Sequence, residues 1–223
     1  MNRVLICSAG TRPKKELLWQ LKNWWDGVIA CDGGANYLRE LGIKPSLVMG
    51  DFDSAAGGIL DWCQKEHVPV HTAPKEKDDT DTMLAARWAI GQGAQHIKVV
   101  GATGGRLDHF YANLLLLNFC LNHGVECQLL DDQNRIFAAQ EGEVCLHKDG
   151  YTYLSLFPFQ GNPVVFAQGG VKYPLQHLAL HYDDPVGVSN ELLEQEVKLE
   201  IQGGRVLIIQ SAGDGPNEYR KQG

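Results

Sequence analysis

Short apolar runs alternate with helix-like stretches through the first half of this 223-residue chain, and that order constrains its fold more than any other feature. RVLIC, GVIAC, PSLVMG, VPVHT, HIKVVG and VECQLL read as strands. KKELLWQLKNWW, YLRELG, AAGGILDWCQKEH, TMLAARWAIGQG and a long stretch ending near Asn122 read as helices between them. Strands that are apolar without polar alternation are buried on both faces. A strand–helix–strand order of this kind builds a parallel sheet covered by helices.

Between Asp131 and Gly142 the character changes. EVCLH, YTYLSLFPF, PVVFA, LALHY, EVKLEI and RVLIIQ are short runs rich in β-branched and aromatic residues, punctuated by KDG, QGN and QGG. Such punctuation predicts an antiparallel sandwich or barrel, with NELLEQE able to form a helical turn.

In open parallel sheets, ligands bind beyond the carboxyl ends of the strands. Those ends are unusually acidic here. The second strand runs into Asp32, the third into Asp51 and Asp53, the fourth toward Asp78, Asp79 and Asp81, and the fifth toward Arg106, Asp108 and His109. So many carboxylates on one sheet edge repel one another unless a cation lies among them. Magnesium suits oxygen donors, few protein carboxylates and substrate phosphates. GATGGR opens a helix, so Gly104 and Gly105 let backbone N–H groups approach an anion there. Arg106 adds a fork-shaped phosphate donor. Neither a P-loop nor a GxGxxG fingerprint occurs. Read singly, Gly33–Gly34 fits a tight turn, DDTD a cap and His109 an ordinary helix residue.

Composition narrows the partners. The net charge of −7 argues against a nucleic-acid backbone. Six cysteines without a CxxC pair read as reduced thiols and fit a cytoplasmic location. The opening MNRVLICSAG is too short an apolar run for a signal peptide, and NLLLLNFCL too short for a membrane span.

DGGAN, GDFDS, KDDTD, GATGGRLDH, LSLFPF and GVSN follow one another in an order and spacing that resembles the thiamine pyrophosphokinase family, from Asp32 to Asn190. The resemblance implies transfer of a pyrophosphoryl group from ATP to the hydroxyethyl arm of thiamine, giving thiamine diphosphate and AMP. It implies a Rossmann-like three-layer α/β domain over residues 1–135, holding nucleotide and Mg²⁺, and a β-sandwich over residues 136–223, serving thiamine binding and dimerisation. The homodimer would share its active sites between chains. Asp51, Asp53 and Asp81 match the metal positions, and Asp108 is a further ligand or the group that orients the hydroxyl. Asp32, Gly33, Gly34, Lys77, Thr80, Gly104, Gly105 and His109 fall on the nucleotide side, with Lys77 and Arg106 as phosphate cations. No general base is identified.

The chain departs from eukaryotic members of that family, which carry a thiamine-stacking tryptophan in the β domain. All five tryptophans here lie in the first half, and Tyr173 fills the slot in GGVKYPL. Tyr173, Ser189 and Asn190 are the expected thiamine contacts, because a heterocycle needs an apolar wall with a few placed polar groups. Three competing readings are a magnesium phosphohydrolase, since DFDS resembles the nucleophile loop of haloacid dehalogenase-like enzymes, a pyrophosphokinase of a hydroxymethylpterin, and a non-catalytic nucleotide sensor. The haloacid dehalogenase loop ends the first strand of its domain, whereas DFDS follows the third strand-like run here.

Overall fold

The structure, a computed structural model, describes residues 1–51, 58–72 and 79–213. The chain is mixed α/β and divides into two compact units, Met1–Asp132 and Gln133–Gly223. Asp53 and Lys77 lie outside the described residues.

The first unit runs β1 (Arg3–Cys7), α1 (Lys15–Leu21), β2 (Gly27–Cys31), α2 (Gly33–Glu40), β3 (Leu47–Gly50), α3 (Ile59–Lys65), β4 (Val70–Thr72), α4 (Asp81–Gly91), β5 (His96–Val100), α5 (Leu107–Asn122) and β6 (Glu126–Leu130). Its strands stand in the order β6-β5-β1-β2-β3-β4, and the pairs β6–β5, β5–β1, β1–β2, β2–β3 and β3–β4 are parallel. The chain steps outward from β1 to β4, then crosses back through α4 to β5 on the other side of β1. The connections therefore reverse direction between β1 and β5, and that is where an open parallel sheet leaves a crevice.

Strand alternation sorts the core. Leu5 and Cys7 of β1, Val28 and Ala30 of β2 and Val48 of β3 cluster with Leu18 and Leu21 of α1, Ala35 and Leu38 of α2, and Ile59 and Cys63 of α3. The intervening residues, such as Val4, Ile6 and Ile29, are equally buried and point to the opposite face. Each such Leu or Ile contributes about 1.5–3 kcal/mol through burial. No described helix is long and apolar enough to cross a membrane.

The structure corrects the tight-turn reading of Gly33–Gly34 and the helix start at Tyr37: α2 begins at Gly33. Gly34 sits where α2 presses onto β1, and a Cβ there would come within 2.1 Å of the Cys7 carbonyl oxygen. A Cβ on Gly33 would meet only Ala9 Cβ at 3.5 Å, an ordinary contact. The glycine pair thus serves helix–strand packing at its second member.

The second unit is antiparallel. Its long strands are β7 (Asn134–His147), β8 (Tyr153–Phe166) and β11 (Glu196–Ser211), joined by the short β9 (Leu178–Ala179) and β10 (Asn190–Glu191). The order is β10-β8-β11-β7, with β9 also on β8. YTYLSLFPF and PVVFA, read from sequence as separate strands, are one strand, β8; EVKLEI and RVLIIQ are likewise one, β11. The sequence looked broken because the ladder is irregular at the glycines: register shifts fall between Ile201 and Arg205 against β7, and between Gln202 and Gly204 against β8. NELLEQE is not a helical turn. Asn190 and Glu191 pair with Leu154 and Tyr153, and Leu192 bridges Val171. Leu146, Leu154, Leu156, Val165, Leu199, Ile201, Val206 and Ile208 belong to one buried cluster.

Gly34→Ala is expected to destabilise the protein by about 1–3 kcal/mol, because overpacking at the Cys7 carbonyl outweighs the better helix propensity of alanine. Gly33→Ala is expected to be neutral or stabilising by up to about 1 kcal/mol. Urea midpoints at unchanged slope measure both.

Candidate active site

A cavity of about 340 Å³ opens at the carboxyl ends of β1, β2 and β5. Ser8, Ala9 and Gly10 line it from the loop after β1, Cys31 and Asp32 from the end of β2, and Thr80, Asp81 and Thr82 from the start of α4. Gly101, Ala102, Gly104, Gly105, Arg106, His109 and Asn113 complete it from the β5–α5 junction. It sits over the reversal between β1 and β5.

Backbone hydrogen bonds build this wall. The Ser8 N–H donates to the Val100 carbonyl at 2.9 Å, Gly10 to Gly101 at 2.8 Å and Thr11 to Thr103 at 2.9 Å, so β1–β5 pairing continues into the two loops. Buried Asn113 on α5 donates its Nδ2 to the Ala102 carbonyl at 2.9 Å and ties the glycine loop to the helix it precedes. Gly104 and Gly105 have φ of 76° and 68°, the left-handed region where glycine is favoured. A Cβ at Gly104 would also lie 1.9 Å from Thr11 Oγ1.

The acidic side is fixed differently. Asp32 holds φ 44° and ψ −117° at the sharp turn from β2 into α2. Such a conformation costs a non-glycine residue about 1–3 kcal/mol, and the Asp32 N–H bond to the Met49 carbonyl at 2.9 Å helps to hold it. Its carboxylate lies against Gly50: a Cβ there would come within 1.9 Å of Asp32 Oδ1. Asp51 follows directly, half-buried at the end of β3. Asp81 opens α4, whose N-terminus is clipped to the sheet twice: the Ser8 and Thr82 hydroxyls stand 2.7 Å apart, and Cys31 Sγ donates to the Asp81 carbonyl at 3.5 Å. Thr80 acts as the cap of α4, its Oγ1 accepting from the Met83 N–H at 3.2 Å.

The acid cluster is smaller than the sequence suggests, because two of its members have arginines of their own. Asp79 accepts from Arg87 Nε at 2.8 Å. Asp108 accepts a fork from Arg106, with Nε–Oδ1 at 3.1 Å and an Nη–Oδ2 contact at 2.5 Å. That fork, more than any other interaction, holds the Asp108 carboxyl down at about 2. Asp108 is exposed beside the cavity rather than among its lining residues. Arg106 and His109 do line it, whereas Gly33, Gly34 and Asp51 do not. Cys7, at the end of β1, is no nucleophile for this cavity, since burial pushes its thiol up to about 12.

The contribution missed in the sequence is the loop after β1. SAGT carries no charge, and only the strand-end rule applied to β1 would have picked out Ser8 and Gly10.

In the second unit the structure brings Tyr173, Ser189 and Asn190 to one edge of the sheet. The buried Asn190 side chain is spent on backbone: Oδ1 accepts from the Tyr173 N–H at 2.9 Å, and Nδ2 donates to the Tyr173 carbonyl at 2.7 Å. The Ser189 N–H donates to Ser155 Oγ at 3.1 Å. The Tyr173 ring is exposed, with the Lys172 ammonium 5.6 Å from its centroid. Glu191 engages that ammonium at 2.5 Å and raises its pKa.

A glycine turn, a helix start, an arginine and strand-end carboxylates around one crevice define the class: a parallel α/β enzyme acting on phosphate groups. The particular family follows from comparison. Residues 18–129 match the profile described as thiamin pyrophosphokinase, catalytic domain, and residues 143–206 the one described as thiamin pyrophosphokinase, vitamin B1 binding domain. A thiamine pyrophosphokinase of Bacillus subtilis (strain 168) is 33% identical over 188 residues, covering 84% of this chain and 86% of that one. A crystal structure of thiamine pyrophosphokinase from Bacillus subtilis superposes with a TM-score of 0.81 at 29% identity, covering 95% of this chain and 99% of that one. One of a thiamin pyrophosphokinase family protein from Enterococcus faecalis gives 0.81 at 29%, covering 96% and 100%. The chain belongs to the thiamin pyrophosphokinase family.

Arg106→Ala is expected to slow turnover about a hundredfold, the scale of losing one transition-state charge donor, and to return the Asp108 carboxyl toward its ordinary value near 3.9. In the wild type the pair's stabilisation is complete above that ordinary value and fades as pH falls through about 2. A rate within threefold of wild type removes Arg106 from the site, and an Asp108 NMR midpoint near 4 in the wild type removes the fork.

Proposed function

We infer that this chain transfers the β,γ-pyrophosphoryl group of ATP to the primary hydroxyl of thiamine. The alcohol oxygen bonds to the β-phosphorus, the bond from that phosphorus to the α–β bridging oxygen breaks, AMP leaves with the bridging oxygen, and the hydroxyl proton passes to a base or water. The cavity between the β1 and β5 loops carries this reading, because such chemistry depends on positioning and charge neutralisation rather than on a covalent intermediate.

We assign the phosphates to the Gly104–Gly105 turn and the start of α5, where both glycines and Arg106 line the cavity and a helix N-terminus offers backbone N–H donors to an anion. In this proposal Asp108 positions Arg106. Asp32 and Asp51 at strand ends and Asp81 at the start of α4 offer only carboxylate oxygens, a donor set that fits Mg²⁺ with phosphate oxygens and water completing its shell. They would hold it together with Asp53. When bound, the ion would neutralise charge on the phosphates.

We place thiamine on the second unit, within the span that matches the vitamin B1 binding profile. Tyr173 supplies a ring face, Ser189 its hydroxyl, and Asn190 holds the Tyr173 backbone in place. Lys172 beside that ring is a competitor for a cationic thiazolium, and Glu191 is its counter-charge. We further read the first unit, residues 1–135, as a Rossmann-like three-layer catalytic domain, on its strand order and its buried faces. We read the second, residues 136–223, as a β-sandwich for thiamine binding and dimerisation. The support for a sandwich is that its long strands all carry irregular pairing near Gly142, Gly161 and Gly203, where a strand can bend. We propose a homodimer with shared sites, at work in the cytoplasm, where six free thiols are at home.

Incubation with ATP, magnesium and thiamine should yield AMP and thiamine diphosphate in equal amounts. ADP with thiamine monophosphate, or phosphate release independent of thiamine, contradicts the reading. Asp81→Asn and Asp51→Asn should abolish this turnover without unfolding the chain, and near wild-type rates at saturating magnesium would remove the residue from the metal set.

Tyr173→Ala is expected to raise the thiamine KM about twofold to thirtyfold, the span of a cation–ring contact worth about 0.5–2 kcal/mol, with the ATP KM unchanged. An unchanged thiamine KM, or an equal rise for ATP, takes Tyr173 out of the thiamine pocket.

A further inference from the structure

Among the described residues, three ligand-bearing side chains of the second unit close into one group: Cys145, His147 and Glu196, whose ligand atoms all lie within 4.8 Å of one another. We propose that they form a second metal site, for a borderline divalent transition ion of the Zn²⁺ class. The placement follows from strand geometry. Cys145 and His147 are two residues apart on β7, so they share a face. Glu196 on β11 is the register partner of His147. Two paired strands therefore present the three donors from a rigid ladder rather than from a loop.

The donor chemistry separates this site from a magnesium site. A thiolate and an imidazole are soft and borderline ligands, which select Zn²⁺ and its neighbours over Mg²⁺. Zn²⁺ takes bonds of about 2.0–2.2 Å to nitrogen and oxygen and about 2.3 Å to sulfur. Two donors on a tetrahedron with bonds near 2.0 Å stand about 3.3 Å apart, and His147 Nδ1 and Glu196 Oε1 are 3.3 Å apart. Cys145 needs only a side-chain adjustment, since all three residues are exposed. Three protein donors leave a fourth position to water.

The surroundings support the assignment. The His147 carbonyl accepts from Arg135 and, at 3.0 Å, from the buried Gln210 Nε2, so the backbone beneath the imidazole is fixed. The cation opposite Cys145, Lys198, is engaged by Glu143 at 3.2 Å. On binding, the Cys145 thiol releases its proton to solvent as the sulfur–metal bond forms, and the imidazole binds as the neutral ring.

Cys145 is the one exposed thiol of the six cysteines, so a thiol reagent on the native chain reads this site. The full chain, stripped of metal, is titrated with Co²⁺ and separately labelled with a thiol reagent with and without Zn²⁺. The expected result is a near-ultraviolet thiolate-to-cobalt charge-transfer band saturating near one equivalent, and at least tenfold slower labelling in Zn²⁺. Cobalt on the strand-end carboxylates gives no such band, because those donors are oxygens. Cys145→Ser should remove the band and leave pyrophosphoryl transfer unchanged. His147→Ala and Glu196→Gln should each weaken Co²⁺ binding at least tenfold while thiol exposure persists. Absence of the band, a band that survives Cys145→Ser, or Zn²⁺ protection undiminished in His147→Ala overturns the proposal.

Discussion

The seam between β1 and β5 is what the catalytic unit depends on. β1 is buried on both faces, and its pairing with β5 does not stop at the strand ends. It continues as backbone bonds from Ser8, Gly10 and Thr11 onto Val100, Gly101 and Thr103. Because the crossovers run outward on one side of this seam and return on the other, the sheet leaves its crevice here. The same bonds that close the sheet hold the loops facing that crevice. The two hydrogen-bonded clips on α4 then place Asp81 over the ends of β1 and β2. The glycine turn before α5 is tied to that helix by the buried Asn113 amide and to the β1 loop by the Gly10 and Thr11 backbone bonds.

Electrostatic arrangement follows from that frame. Arg87 and Arg106 neutralise Asp79 and Asp108. The strain at Asp32 is of a kind that concentrates at functional sites, and Gly50 is the residue that makes room for its carboxylate. The second unit solves a different problem. Asn190 closes a polar clamp on the Tyr173 backbone, so the ring is presented from a fixed segment although it is itself exposed.

Much of the first unit could be read in the chain because β1, β2 and β3 are nearly continuous apolar runs and helices separate its strands. The order of the strands in the sheet could not, since parallel pairing carries no local sequence signal. Gly34 shows the limit of motif reading: a glycine pair at a strand end suits a phosphate loop, yet here its second member answers a helix-to-strand approach. The β1 loop went unread because SAGT is uncharged and is held by backbone bonds and the Ser8 hydroxyl, which leave no charged motif. In the second unit, glycines that ordinarily punctuate hairpins instead mark irregular pairing inside long strands. The partnerships of Arg87 with Asp79 and Arg106 with Asp108 depend on helix placement and side-chain direction, which spacing alone does not fix.

We propose that the loops joined across the β1–β5 seam hold the phosphates. Amide hydrogen exchange with and without a non-hydrolysable ATP analogue and magnesium tests it most directly. Protection should concentrate at residues 8–11 and 101–106, with little change along β7 and β11. Nucleotide-dependent protection that leaves the 101–106 turn untouched would contradict it.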